Sequence, residues 1–320
     1  MKTPRFIHIS IYLLSLVIAS PGETIELKLP SPYDDAQNEY SGLAWYGDYL
    51  ILLPQYPTGY LLAISKDDLT TAIDSDNNNI TPVRVPFRGD DFTRVLPGYE
   101  GFEALVFKDS LVFLSIEYET KKAIGGYFVS GNISSLSSGI MLNSENILHL
   151  SAPETIGNMA FESLILDENQ LIPIYEANGA KVYRDPWVLS ISTDLIVEDK
   201  IPFPNIEYRV TDATQPDENG KFWVINYLWS GDYRKLKPAH DVFQNPFGKV
   251  TKGSDLERLV EIEYKEDHFY LTDTPPIYLT QPKQKSRNWE GIVRLDDKGF
   301  ILITDKHPRT ILMFVPHAFD

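Results

Sequence analysis

The chain has 320 residues, 43% of them hydrophobic, no cysteine, and a formal net charge of −16 at pH 7. That length can bury the core of one large domain or two ordinary ones, and the missing cysteines exclude a disulfide framework and a lipid-attached cysteine. The acidic balance repels phosphate backbones and anionic lipid, so nucleic acid and membrane surfaces are poor partners and cations are favoured.

Residues 1–20 place Lys2 and Arg5 ahead of an apolar stretch from Ile7 to Ala19, the pattern of a secretory signal peptide. The stretch is shorter than the roughly 20 residues a spanning helix needs, and no later segment approaches that length. The expectation is a secreted or periplasmic protein in which residues 21–320 form a single domain, with no membrane span after signal cleavage. Asn79-Ile80-Thr81 and Asn132-Ile133-Ser134 match the glycosylation sequon.

Five hairpin patterns follow in chain order, each an apolar run, a polar turn and a second apolar run: "YSGLAWYGDYLILLPQYP" at 40, "GFEALVFKDSLVFLSIEYE" at 101, "AFESLILDENQLIPIYEAN" at 160, "VTDATQPDENGKFWVINYL" at 210 and "NWEGIVRLDDKGFILITDK" at 288. Shorter β-rich pieces follow most of them: "GYLLAISKDDL", "AIGGYFVSGNI", "PWVLSISTDL" and "RLVEIEY". A hairpin followed by two more strands, repeated radially, predicts an all-β propeller of five blades, possibly six. The last repeat is short of strands, and "ETIELKLP" at 23–30 is placed to close the ring as its outer strand, which removes an open sheet edge. The irregular segment 228–255 reads as a long loop within the fourth blade, where function often resides.

The hairpins are bracketed by acids. The innermost strands begin with Ser41-Gly42, Glu103, Glu162, Asp212 and Glu290, and their neighbours end with Gln55, Glu117, Glu176, Asn226 and Asp305. In antiparallel strands these two positions lie at the same edge, so the acids are expected to ring one mouth of a central channel. Clustered carboxylates need protons or a cation, and an all-oxygen set with no aligned His or Cys suits Ca²⁺. Near the mouth, Asp305, Lys306, His307 and Arg309 are placed to hold and protonate an anionic leaving group, and Tyr233, Arg234 and Lys235 to meet an anionic ligand. "DSDNNNI" at 74–80 begins like a calcium loop but lacks its glycine and closing glutamate, so it reads as a turn.

The repeats "GFEALVFKDSLVFLSIE", "VTDATQPDENGKFWVIN" and "NWEGIVRLDDKGFILITD" resemble those of the phytase-like esterase family of secreted β-propellers. "YSGLAWYGDYLILL" and "WEGI" also resemble the soluble calcium-activated nucleotidases (apyrases), five-bladed propellers with an axial calcium ion. That resemblance implies a calcium site at Ser41, Glu103, Glu162 and Glu290, with Thr211 or Asp212 in the fourth blade. The site and the resemblance together lead to the expectation of a hydrolase of a phosphoester or related ester, in which Glu117, Glu176 or Asp305 orients or deprotonates water. The chain departs from the nucleotidases in lacking arginines after the second strands. Two alternatives stay open: a propeller with a structural calcium ion that captures a small ligand or an exported protein, and a glycosidase using two mouth carboxylates.

Overall fold

The computed structural model describes residues 23–319 except 244, 246–247 and 280–285; the signal-peptide reading of residues 1–20 lies outside them. Polar turns break the apolar runs into short strands, and each strand pairs with the next as an antiparallel meander. Strand β1 (Ile25–Leu27) stands apart at the start. Strands β2 (Tyr40–Tyr46), β3 (Tyr49–Pro54), β4 (Tyr60–Ser65) and β5 (Val83–Arg88) form the first meander, and β6 (Tyr99–Lys108), β7 (Leu111–Glu119), β8 (Ile124–Ile133) and β9 (Ile140–Ser151) the second. A short parallel pairing of β5 with β9 joins these two into one eight-stranded sheet.

The third meander is β10 (Phe161–Asp167), β11 (Gln170–Tyr175), β12 (Trp187–Ser192) and β13 (Val197–Pro202). The fourth is β14 (Arg209–Ala213), β15 (Lys221–Leu228), β16 (Leu256–Lys265) and β17 (His268–Leu271), with β18 (Ile277–Tyr278) pairing back onto β16. The last holds β19 (Trp289–Leu295), β20 (Gly299–Thr304) and β21 (Leu312–Pro316), and β1 completes it as the outer strand. The chain is thus all-β as the pattern predicts, and its N-terminal strand covers the edge that the last repeat leaves open.

The first strands of the meanders pack one against the next, β2 on β6, β6 on β10, β10 on β14, β14 on β19, and β19 returns to β2. That circuit makes a closed ring around an axis. Apolar side chains fill the wedges between neighbouring sheets: Ala44, Ile51, Leu105 and Leu114 between the first two, and Trp223, Ile225, Trp289 and Phe300 between the last two. Trp223 and Trp289 are fully buried, and each such side chain contributes about 1.5–3 kcal/mol or more through burial.

One expected strand piece ends early. In "GYLLAISKDDL" the strand stops at Ser65, whose Oγ accepts from the Asp68 amide, and helix α1 (Lys66–Ile73) follows with Asp67 and Asp68 in its first turn. A serine cap followed by acids favours a helix start over a continued strand. The 74–80 segment bends after α1 and bridges to the chain beside β1, where the Asn78 carbonyl accepts from the Lys28 amide.

Candidate active site at the channel mouth

Each innermost strand carries a β-bulge near its start, where the pairing skips one residue, and β6 has a second such shift just before it, at Glu100. The residues skipped are Ser41 in β2, Glu103 in β6, Glu162 in β10, Thr211 in β14 and Glu290 in β19. A bulge re-aims the extra side chain out of the pleat, so the same local irregularity, repeated in every meander, builds the ring position. Ser41, Glu103, Glu162 and Glu290 therefore hold equivalent positions, and the fourth is Thr211.

Asp212 is the correction. It occupies the next position along, where the other strands have Gly42, Ala104, Ser163 and Gly291. The strands approach closely there: a Cβ on Gly42 would lie 3.0 Å from the Glu103 carbonyl oxygen. Asp212 instead turns into the wedge and accepts a hydrogen bond from the Ile292 amide at 2.7 Å. The two hydroxyls of the ring stitch neighbouring strands together: Ser41 Oγ donates to the Phe102 carbonyl and Thr211 Oγ1 to the Trp289 carbonyl, each at 2.6 Å.

The acids of the second strands surround this ring. Glu117 lies opposite Gly101 and is almost fully buried. Gln55 donates to Glu103 at 2.9 Å, and the Asn288 amide donates to both Glu290, at 2.5 Å, and Asp305, at 3.2 Å. Asn226 does not face the mouth; its carbonyl accepts from Arg258 at 2.7 Å within the fourth meander.

A cation that the hairpin pattern does not single out lies inside the ring. Arg209, buried at the start of β14, contacts Glu176, donates to the Tyr227 hydroxyl at 2.8 Å, and pairs with Asp232 at 3.4 Å and Glu162 at 3.6 Å. Burial works against its charge, but Tyr227 and the surrounding acids hold its pKa above the ordinary arginine value. Glu176 is fully buried in this contact and away from the cavity lining. One signal was present: in "YRVTDA" an arginine stands in an apolar strand two residues before the ring position, on the same face by alternation.

A cavity of about 680 Å³ opens above the ring, and Glu103, Glu117, Glu162, Arg209, Glu290 and Asp305 form its acidic floor. Lys306 and His307 stand at its wall as expected, with Lys306 paired to Glu39 at 3.0 Å. The long segment after β15 supplies the rest: Trp229, half exposed, and Asp232 and Lys235, which pair at 3.4 Å. Three expected ligand contacts are not brought here. Tyr233 packs against the apolar core from helix α2 (Tyr233–Leu236). Arg234 is exposed and outside the cavity lining. Arg309 points to the N-terminal strand, pairing with Glu26 at 2.7 Å, because β1 is the partner of β21 beside it.

Burial and mutual repulsion raise the acid pKa values. Burial, then the charges of Glu117, Glu162 and Glu290, push the Glu103 carboxyl well above the usual range. Glu117 is pushed up to about 8 by burial and by Glu162. Glu162 reaches about 7, since burial raises it while Arg209 holds it down. Burial with Glu162 and Asp305 raises Glu290, and burial raises Asp305 against the pull of Lys306. Oxygens on Glu117, Glu162, Glu176 and Asp305 have no hydrogen-bond partner among the described residues. Carboxyl groups whose pKa values are raised to different extents can divide between them the tasks of passing a proton to a leaving group and taking one from water.

No family model matches the chain, and no curated protein matches it. Among solved structures, one of glucose dehydrogenase aligns over 93% of this chain and 100% of its own, with TM-score 0.50 and 11% identity. An exo-1,5-alpha-L-arabinanase from a bovine ruminal metagenomic library aligns over 89% and 96%, with TM-score 0.49 and 10% identity. A mutant alpha-L-arabinanase of Cellvibrio cellulosa aligns over 88% and 92%, with TM-score 0.49 and 10% identity. The first of these likenesses, at TM-score 0.50, concerns the path of the chain alone, a β-propeller, and leaves the reaction open. It supports the propeller expected from the repeats and adds nothing for the phytase-like or nucleotidase families.

Proposed function

We propose that the chain is an exported five-bladed propeller hydrolase, with a calcium ion in its channel and its reaction at the mouth. The observation that carries this reading is the repeated bulge, which turns Ser41, Glu103, Glu162, Thr211 and Glu290 onto one ring. The donor set fits the ion: every group is an oxygen, Glu162 keeps an unpartnered buried oxygen, and the acids raise one another's pKa. The two hydroxyls donate to carbonyls and still have lone pairs to offer. As they stand, no three acid or histidine side chains among the described residues converge closely enough to hold an ion, so loading requires the glutamates to draw in.

Bound calcium would neutralise the ring and orient a substrate oxygen; it acidifies water only weakly, so the protein must supply the proton chemistry. Asp305, the less raised of the mouth acids, takes the proton from water, and Glu117, pushed up to about 8, returns one to the leaving group. Lys306, His307 and Lys235 on the wall meet an anionic substrate such as a phosphoester or related ester.

A second reading, glycoside hydrolysis by a carboxyl pair, draws support from the Glu117 value and from the Trp229 indole at the rim, a surface for a sugar ring. One experiment addresses both. Metal content and melting curves in calcium and in chelator, with Glu103→Gln and Glu290→Gln, are followed by nitrophenyl phosphate, acyl ester and glycoside substrates. Stoichiometric calcium, a chelator-sensitive melt lost in both variants, and phosphoester or acyl ester turnover would support the first reading. Metal-independent glycoside turnover would support the second, and no metal with no turnover would sink both.

A further inference from the structure

A second concavity, about 400 Å³, lies beside the mouth between the first two meanders. It is a step away from the acid floor along two strands, since Tyr56 on its wall follows Gln55 and Phe102 beneath it precedes Glu103. Its walls are aromatic and fixed. Phe102 receives Phe87 at 5.4 Å, Phe92 at 5.9 Å and Tyr99 at 6.1 Å, all near edge-on, and each ring is held by the others. Tyr56 leans on Tyr99 at 6.4 Å, donates its hydroxyl to the Glu100 carbonyl, and leaves 47% of its surface exposed. An exposed ring already locked by a hydrogen bond loses little freedom when a ligand covers it.

The polar groups around this aromatic cleft carry both signs. Arg88, held by the Ser138 carbonyl at 3.1 Å, faces the same space as Asp90 and Asp91, with the Thr58 hydroxyl beside them. Gly59, at φ 87°, leaves the backbone open there, with nothing within 4 Å of where a Cβ would stand. A strongly charged ligand of either sign would meet a like charge. A flat apolar ligand would leave the carboxylates and the guanidinium dehydrated. A sugar ring meets both demands, laying its C–H face on an aromatic ring and offering adjacent hydroxyls to carboxylate and guanidinium groups.

We propose that this cleft binds a neutral glycosyl unit of a glycan, independently of the reaction at the mouth. The volume falls in the range of small-molecule sites, about 300–1,000 Å³. The adjoining walls let a longer glycan run from the cleft toward the acid floor across Tyr56.

The test is calorimetric titration of the intact protein with linear oligosaccharides of glucose, mannose, xylose and arabinose. At least one is expected to bind more tightly than about millimolar, and Tyr56→Ala to weaken it roughly tenfold while Tyr56→Phe retains it, since the ring makes the contact. Asp90→Asn should weaken binding through the lost charge-assisted hydrogen bond. Melting curves of each variant separate lost contacts from lost folding. No binding by any of the sugars, binding that survives Tyr56→Ala, or a cleft that takes a trimethylammonium compound or adenosine in place of sugar would overturn the proposal.

Discussion

Replacing Arg209 by methionine tests whether the channel depends on its internal cation. The guanidinium stands 3.4 Å from Asp232 and 3.6 Å from Glu162, and it contacts Glu176, all in a buried setting. At an effective dielectric near 20, a pair at such a distance attracts by about 5 kcal/mol, and desolvation offsets much of that. Removing one partner of a buried network leaves uncompensated charge and costs about 3–5 kcal/mol. The loss must depend on pH, because the orphaned acids escape it by taking up protons. Urea unfolding followed by tryptophan fluorescence in chelator should show Arg209→Met weaker by about 3–5 kcal/mol near pH 8 and by only about 1–2 kcal/mol near pH 5. Equal losses at both pH values would mean that the arginine acts through packing alone, and a loss below about 1 kcal/mol would refute the account.

Three further outcomes follow from the same geometry. Glu117, raised to about 8, binds a proton in the folded chain that the unfolded chain has released. Its contribution is therefore complete below the ordinary carboxylate range and is lost as pH rises through about 8, so chelated protein should lose up to a few kcal/mol over that span. Glu117→Gln should flatten this slope, and an unchanged slope would remove Glu117 from the cause. Asp212→Ala should destabilise by about 1–3 kcal/mol by orphaning the Ile292 amide yet keep any calcium response of the melt, whereas Thr211→Val should reduce that response; the reverse result would return Asp212 to the ring. Arg258, fully buried, holds Asp241 at 2.9 and 3.0 Å and so ties the long segment after β15 to its sheet. Arg258→Met should cost about 3 kcal/mol and open that segment to limited proteolysis, and an uncut segment would mean other contacts suffice.

What the sequence disclosed and withheld has a physical pattern. Hairpins are local, so "LDDKG" and its counterparts marked the turns, and the pairings β2 with β3 through β19 with β20 follow the quoted runs. The N-terminal strand was legible because the last repeat lacked an edge partner. A bulge leaves no trace in composition: it inserts a residue into an alternating pattern, and the conspicuous charge of Asp212 drew the alignment one step past Thr211. Arg309 sits four residues from Asp305 in sequence, yet the pairing of β1 with β21 turns it toward Glu26.

Arg209 lay furthest from view, because its meaning depends on three acids from other segments, Glu162, Glu176 and Asp232. It also bears on the central proposal. A fixed monovalent charge on one side of the ring pairs with Glu162 at 3.6 Å and reaches Glu290 only through space, while the nearest partners of Glu103 and Glu290 are the side-chain amides of Gln55 and Asn288. Any cation that enters should therefore be drawn toward the Glu103–Glu290 side, and substitutions there should weaken its binding more than Glu162→Gln does. Calcium titrations of the melting temperature in the three single variants measure that order, and an equal loss in all three would mean that Arg209 yields its place when the ion binds.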